Sequence, residues 1–367
     1  MWDTIQKLEY RAAAKIPDAQ KELDARLSDR MELPLPGLHG EKLYLTGVKM
    51  LREKAKQLDM LYRNVPKQRG VKDTILLDAW SSATIEGART TVAQVKKSFA
   101  SPETKDDKMV VNTTRGCHYA YGRPITQKNI RRLWEMVVSG VCENETHKGK
   151  QYRDGMVHIG NNIRIIHTPA APEQIPELMK KWFAYCEEAS ADLLIQSFVL
   201  HFYFVYVHPF CDGNGRLARI LNSSFLYHNG YLQAKSLPLS NAINQQISGY
   251  YGSLSDSESV LFSRGEQWLD LSPFVSYMLD SFERCLIDAA LAKNRLNETE
   301  TKLLQRMNKV GIHAEITVAK AAKIIDRTPS ATRTILNNLV QKGYLTVDTS
   351  HTPYIFRLDQ HIPSNGN

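Results

Sequence analysis

The run DLLIQSFVLHFYFVYV, from Asp192 to Val207, constrains this chain more than any other stretch. It is broken only by Gln196, Ser197 and His201, and its apolar side chains point in every direction of a helix. Such a helix has no face fit for water, so other elements must surround it. At about 15 residues it is also short of the ~20 that a membrane span requires. The expectation is a fully buried core helix. The 367 residues suffice for a real core and two or three domains. The start MWDTIQKLEYR lacks a signal-peptide apolar stretch, so a cytoplasmic protein with no membrane partner is expected.

The adjoining segment is the chemical opposite of this run: HPFCDGNGRLAR, His208 to Arg219. Gly213-Asn214-Gly215 stands where a new helix is about to begin. Glycines let backbone N–H groups turn toward an anion, and a helix N-terminus favours phosphate. Arg216 and Arg219 are three apart and share a face of the first helical turn. Two cations there would repel the helix dipole unless a polyanion sits between them. Asp212 would repel that anion by itself, but it can hold Mg²⁺, which takes one carboxylate plus phosphate oxygens. His208, at the end of the apolar helix, is a general base for an attacking hydroxyl. Phe210 plugs the loop into the core. The apolar helix is the floor, and the polar cluster on its rim is the candidate active site.

Elsewhere the pattern reads as helices with two interruptions. Residues 1–70 form an N-terminal helical region, with ELPLPGLHGEK (Glu32–Lys42) as a Pro/Gly linker or turn. VKDTILLDAWSSATIEG predicts a helix over about 71–87, stopped by Gly87. Residues of about 149–169, including YRDGMVHIGNNIRIIHTP, alternate around Gly-Asn-Asn and predict a hairpin. Its His158 and His167 read as surface residues rather than a metal pair. The five cysteines are scattered without a CxxC pair, which suits a reducing compartment. Cys211, inside the polar cluster, reads as a small filler and not a nucleophile.

From Asn297 the grammar changes. ITVAKAAKIID and TPSATRTILNNLVQKGYL form a helix-turn-helix pattern, with Thr328 as N-cap and Pro329 in the first turn. YLTVD and TPYIFRLD come next as two wing strands, so residues 295–367 read as a winged-helix module. Residues 293–347 hold ten Lys or Arg against four acids, within a chain of net charge +8. Arg327, Ser330, Thr332 and Arg333 flank or begin the recognition helix, where DNA contacts would arise. Protein docking or dimerisation through this module is the alternative.

HPFCDGNGRLAR resembles the full Fic motif, HPFx(D/E)GNGRxxR, with no departure. The resemblance extends over roughly 75–290 and implies an all-α fold: a Fic-type helical bundle with a β-hairpin flap, here over 71–292. It also implies transfer of AMP from ATP to a hydroxyl side chain of a target protein, with release of pyrophosphate. By this resemblance His208 is the catalytic base and Asp212 the Mg²⁺ ligand. Gly213, Asn214 and Gly215 cradle the α- and β-phosphates, Arg216 holds the β-phosphate and Arg219 the γ-phosphate. The hairpin resembles the flap on which a target docks, and Tyr251 would line the adenine pocket. The family variant that phosphorylates its targets lacks the Gly215-Arg216 pattern kept here.

A second stretch, Ser82 to Gly87 in SSATIEGAR, resembles the family's inhibitory motif, (S/T)xxxE(G/N). On the residues alone, Glu86 in a last helical turn opposes the dipole and needs a cation. The resemblance names Arg219 as that cation and places their pair on the γ-phosphate position. Ser82, one turn earlier, is expected to hydrogen-bond the Glu86 carboxylate. The resulting expectation is an autoinhibited protein adenylyltransferase of the N-terminal inhibitory-helix class. A DNA-binding regulator whose Fic domain senses nucleotide, and an enzyme removing AMP from targets, are the alternatives. ATP, Mg²⁺ and a target protein are the implied cofactors and partners; DNA and a homodimer stay open.

Overall fold

The computed structural model describes residues 2–65, 71–142, 150–160, 165–263, 265–292, 297–310, 315–350 and 352–358. The chain divides into two compact units, 1–287 and 288–367. The first opens with α1 (Ile5–Ala13), α2 (Ala19–Ser28), β1 (Arg30–Pro36), β2 (Lys42–Thr46) and α3 (Val48–Asn64). It continues with α4 (Val71–Ile85), α5 (Val92–Ser98), α6 (Lys105–Tyr121), α7 (Gln127–Val138), β3 (Ile159–Gly160) and β4 (Ile165–His167). Then come α8 (Ile175–Glu187), α9 (Leu193–Val207), α10 (Asn214–His228), α11 (Leu239–Asn244), α12 (Ile247–Ser257), β5 (Leu261–Ser263), β6 (Glu266–Asp270) and α13 (Ser272–Ala292). Among the described residues no helix is long and apolar enough to cross a membrane.

The apolar run is α9, and nearly every residue of it is buried. Each buried Phe, Leu or Val contributes roughly 1.5–3 kcal/mol relative to exposure. Its polar interruptions all find partners inside the protein. Gln196 Nε2 donates to the Tyr185 and Glu188 carbonyls at 2.7 and 3.0 Å. Ser197 bonds the Leu194 carbonyl at 2.7 Å. His201 meets Tyr250 Oη at 3.0 Å and Asn222 Oδ1 at 3.3 Å, and burial drives its ring pKa down to about 3. These bonds offset most of the penalty of burying polar atoms, although Gln196 Oε1 is buried with no hydrogen-bond partner among the described residues.

The N-terminal region departs from the all-helical expectation. Glu32–Lys42 is not a linker: β1 pairs antiparallel with β2, β2 runs parallel to β6, and β6 pairs with β5 in the order β1-β2-β6-β5. Leu33 and Leu35 face the core while Pro34 and Pro36 face out. Proline is tolerated because β1 is an edge strand, where missing N–H groups leave no neighbour unpaired. A buried ion pair welds this sheet to the front of the chain: Arg26 Nη2 lies 3.0 Å from Asp270 Oδ2, which also accepts from Thr46.

The second unit holds α14 (Glu298–Val310), β7 (Glu315–Ile316), α15 (Val318–Ile325), α16 (Pro329–Gln341), β8 (Leu345–Asp348) and β9 (Ile355–Leu358). Its three strands form an antiparallel sheet in the order β7-β9-β8. Thr328 caps α16 through the Ala331 N–H, with Pro329 in the first turn. Leu303, Ile325, Leu336, Leu339 and Phe356 share a core of the unit's own. Thr332 departs from the expectation of a surface contact: it is fully buried and its hydroxyl bonds the Thr328 carbonyl at 2.9 Å. Arg327, Ser330 and Arg333 are exposed. Lys293 and Arg295 of the basic set lie outside the described residues.

Candidate active site

The motif loop is held from within. His208 ends α9 with φ +53°, a left-handed conformation unusual for a residue with a side chain. It lets the chain turn sharply and drop Phe210 into the core, where its ring stacks on Trp134 at 5.2 Å. Asn214 Oδ1 accepts from Phe210 N–H at 3.0 Å, and Asn214 Nδ2 donates to the Phe210 carbonyl at 2.7 Å. Asn214 is thus a staple across the loop. Trp134 Nε1 closes the loop from outside on the Asp212 carbonyl at 3.0 Å. Gly213 caps α10 at φ +80°, and a Cβ there would press on Val138 at 3.0 Å. The positive φ and the close approach both require glycine.

Both arginines of α10 are buried. Arg216 donates to the Val137 carbonyl at 3.1 Å and approaches Asp212 Oδ1 at 3.4 Å. Its Nε is buried with no hydrogen-bond partner among the described residues. Asp212 Oδ1 also accepts from Gly213 N–H at 2.6 Å, while its side chain stays 43% exposed. That leaves carboxylate surface open to solvent beside the helix entrance.

Arg219 is met by α4. Its Nη2 lies 2.6 Å from Glu86 Oε1 and 3.0 Å from the Ser82 carbonyl, and its Nε donates to Ser82 Oγ at 2.8 Å. Ser82 therefore serves Arg219 rather than the Glu86 carboxylate, because a buried guanidinium has more donors than one carboxylate can take. The end of α4 is a Schellman turn: Ala88 N–H bonds Ala83 O at 3.0 Å, Gly87 N–H bonds Thr84 O at 2.9 Å, and Gly87 takes φ +92°. This turn stops α4 at Glu86 and aims the carboxylate over Gly215, where any side chain would collide with it. Burial works to raise the Glu86 carboxyl, but Arg219 outweighs it, helped by Arg216 and His208, and holds it below the ordinary range. The Arg219 guanidinium loses from burial and gains more from Glu86, so its proton is held still tighter.

His208 Nδ1 sits 3.2 Å from the Val205 carbonyl. A carbonyl can only accept, so Nδ1 carries the hydrogen and Nε2 keeps its lone pair. Burial first, then the neighbouring His167 and Arg153, lower the imidazole to about 4, against the opposing Val205 carbonyl and Glu86. At neutral pH the ring is an uncharged base.

Beside it, β3 and β4 pair antiparallel as the expected hairpin, with a shift in register between Ile159 and Gly160. Its proposed turn residues Asn161 and Asn162, and its start at Gly149, lie outside the described residues. His158 is exposed, as expected. His167 is not a surface residue: its ring is wedged between the Tyr206 carbonyl and Glu258, each at 2.8 Å. Tyr251 stands at the end of α4, half exposed, its hydroxyl donating to the Ile85 carbonyl at 3.2 Å. The Cys211 thiol lies against Cys142, and burial pushes it up to about 12. It is no thiolate, in keeping with a filler. Among the described residues no group of three or more His, Cys, Asp or Glu gathers as a metal site.

Three further contributors are not visible in the motif. Asp78 lies under the site, hydrogen-bonded by Ser240 N–H and hydroxyl, and burial raises its carboxyl to about 6. The four-residue spacing of Asp78, Ser82 and Glu86 puts them on one face of α4 and was the available signal. Trp134 and Arg153 had no local signal, since their partners are distant backbone carbonyls. Arg153 is buried, with Nε on the His208 carbonyl and Nη1 on the Gly155 carbonyl, both at 2.8 Å.

Comparison with known proteins places this arrangement. Residues 124–226, which include the whole motif, match the model of the Fic/DOC family. Proteins called protein adenylyltransferase Fic in Drosophila grimshawi and Drosophila virilis are each 27% identical over 281 residues, covering 72% of this chain and 53% of theirs. The chain thus spans about half the length of the curated relatives it matches. Among solved structures, a Fic family protein from Desulfovibrio desulfuricans superposes with a TM-score of 0.56 at 18% identity, covering 87% of this chain and 97% of that one. Fic-1 from C. elegans gives 0.50 at 19% identity, over 67% of this chain and 73% of that one. The motif loop, the buried helix that supports it and all but the last two residues of the helix it opens, Tyr227 and His228, lie within residues 124–226, and that segment is a Fic/DOC family domain.

Proposed function

We propose that this protein is an autoinhibited protein adenylyltransferase. In this reading residues 71–292 are the Fic domain, with the inhibitory helix over about 71–87 and the flap over about 149–169. The observation that carries it is Glu86 on Arg219 at 2.6 Å, over Gly215 at the entrance of α10. An acid held by an arginine on a helix N-terminus occupies the place of a phosphate group. The names of the curated relatives support the same activity.

The chain's own residues divide the work. Backbone N–H groups of 213–215 and the α10 dipole hold the α- and β-phosphates. Arg216, with its unpartnered Nε, takes the β-phosphate. Arg219 takes the γ-phosphate once Glu86 leaves. Asp212, half open to solvent, would hold a divalent cation. Mg²⁺ there would supply charge neutralisation to the phosphates. A Ser, Thr or Tyr hydroxyl of the target, registered by the flap, attacks the α-phosphorus. His208 Nε2 takes its proton, the α–β bridging P–O bond breaks, and pyrophosphate leaves. Tyr251, beside the end of α4, would border the adenine.

The test is incubation with α-labelled ATP and Mg²⁺. Label is expected on protein, more in Glu86→Gly, none in His208→Ala; equal label in all three removes the reading. Label from γ-labelled ATP would indicate phosphorylation instead. Release of AMP from a modified target, with water as the acceptor, would indicate removal of AMP instead.

For the second unit we infer a winged helix over 295–367 that binds DNA, with α16 as the reading helix. Exposed Arg327, Ser330 and Arg333 at its start support this. A salt-dependent mobility shift lost in Arg333→Ala is expected. The absence of any salt-dependent shift would favour docking of a protein or a second copy. The scattered cysteines support a cytoplasmic location.

A further inference from the structure

We propose that Arg153 is a positioning residue for the transfer, one buried guanidinium that fastens the catalytic histidine to both feet of the flap. The inference rests on the adenylyltransferase reading above. Four contacts carry it. Arg153 Nε donates to the His208 carbonyl at 2.8 Å, and Arg153 backbone N–H donates to the Pro209 carbonyl at 3.0 Å. Its Nη1 donates to the Gly155 carbonyl at 2.8 Å, and its Nη2 to the Ala170 carbonyl. Gly155 precedes β3 and Ala170 lies beyond β4, so the fork spans the hairpin's two ends.

The location matters because His208 is held at φ +53°, and such a conformation persists only where the surroundings over-determine it. Arg153 grips the carbonyls of both residues that make the bend, His208 and Pro209. The same side chain sets where the hairpin stands relative to that bend. The acceptor hydroxyl comes in on the hairpin and the proton leaves on His208, so the distance between them passes through Arg153. A misplacement of about 1 Å there can cost about 10²-fold in rate. Arg153 is 3% exposed, and the three nitrogens of its guanidinium each donate to a backbone carbonyl. Five donors in a planar fork suit several carbonyls at once, and a lysine cannot reproduce that fork.

Among the described residues, the nucleotide cradle of Gly213, Gly215, Arg216 and Arg219 makes no hydrogen bond to Arg153, which separates a positioning role from a general loss of the site. In a Glu86→Gly parent, Arg153→Lys is expected to lower kcat for transfer to the protein acceptor at least tenfold. The Kd for ATP should stay within twofold and Tm within a few degrees. Arg153→Met should fall further than Arg153→Lys; if it does not fold, the lysine variant alone decides. A kcat within twofold of the parent, or an ATP affinity that falls in parallel with kcat, overturns the proposal. Amide hydrogen exchange at 156–160 and 165–170, measured without ATP, tests the anchor independently. At least tenfold faster exchange in Arg153→Lys is expected, and unchanged exchange overturns it. If the Glu86→Gly parent transfers no AMP while exchange accelerates, the adenylyltransferase reading fails and the anchor stands.

Discussion

Glu86 and Arg219 are 133 residues apart in the chain and 2.6 Å apart in space, meeting over the backbone of Gly215. Their pair places a carboxylate at the positive end of a helix whose first two turns carry two buried arginines. The arrangement is comfortable electrostatically, and in the proposed reading that comfort is what a triphosphate would have to overcome. A ligand able to supply more negative charge and more acceptors than one carboxylate can displace it.

Glu86→Gly should tighten ATP binding about tenfold or more, because the competing carboxylate is gone while both arginines stay. Arg219→Ala breaks the same pair but removes the proposed γ-phosphate ligand, so it should not tighten binding. Titration calorimetry on both variants checks this. A gain in Arg219→Ala equal to that in Glu86→Gly would contradict the role given to Arg219.

Ser82 is a weaker point of the same contact. Ser82→Ala leaves the buried Arg219 Nε without its acceptor, at a cost of about 1–3 kcal/mol. The expected result is a Tm lower by a few degrees and AMP incorporation between wild type and Glu86→Gly. Stability and activity unchanged together would show that Ser82 does not hold Arg219.

The pH dependence has a definite sign. His208 is lowered from 6.5 to about 4, so it is neutral and able to accept a proton at every pH above that value. In Glu86→Gly the acid limb of kcat/KM should therefore lie well below 6.5, since that limb reports the free enzyme's base. An unfolded chain would take up this proton near 6.5, so the His208 contribution to stability declines as pH falls from 6.5 toward 4. Glu86 is held below its ordinary value, and its hold on Arg219 is lost only when pH falls through that lowered value. Between about pH 5 and 8, inhibition in the wild type should be flat. An inhibition that relaxes near neutral pH would point to a different group.

Asn214 offers a test of loop shape apart from charge. Asn214→Ala leaves Phe210 N–H and C=O without their side-chain partners in a buried place. Stability should fall by about 2 kcal/mol or more, and ATP binding should weaken at least tenfold because the backbone cradle loses its form. Differential scanning calorimetry with an ATP titration measures both. Normal ATP affinity in a destabilised Asn214→Ala would mean the cradle does not depend on the staple.

Local grammar made much of this protein readable. The all-round apolarity of 193–207 requires burial. Gly213 marks a helix entrance, and the caps at Thr328 and Gly87 place two helix ends. These arise from spacings of a few residues, where periodicity and dihedral preference act. Tertiary structure alone decided the rest. That Ser82 serves Arg219 and not Glu86, that β1 is an edge strand and not a linker, that Thr332 turns inward, and that the Arg153 side chain reaches carbonyls in separate segments all depend on contacts between distant parts of the chain. Backbone carbonyls are the same in every residue, so an arginine seeking them leaves no trace in the sequence until the fold brings them within hydrogen-bond reach.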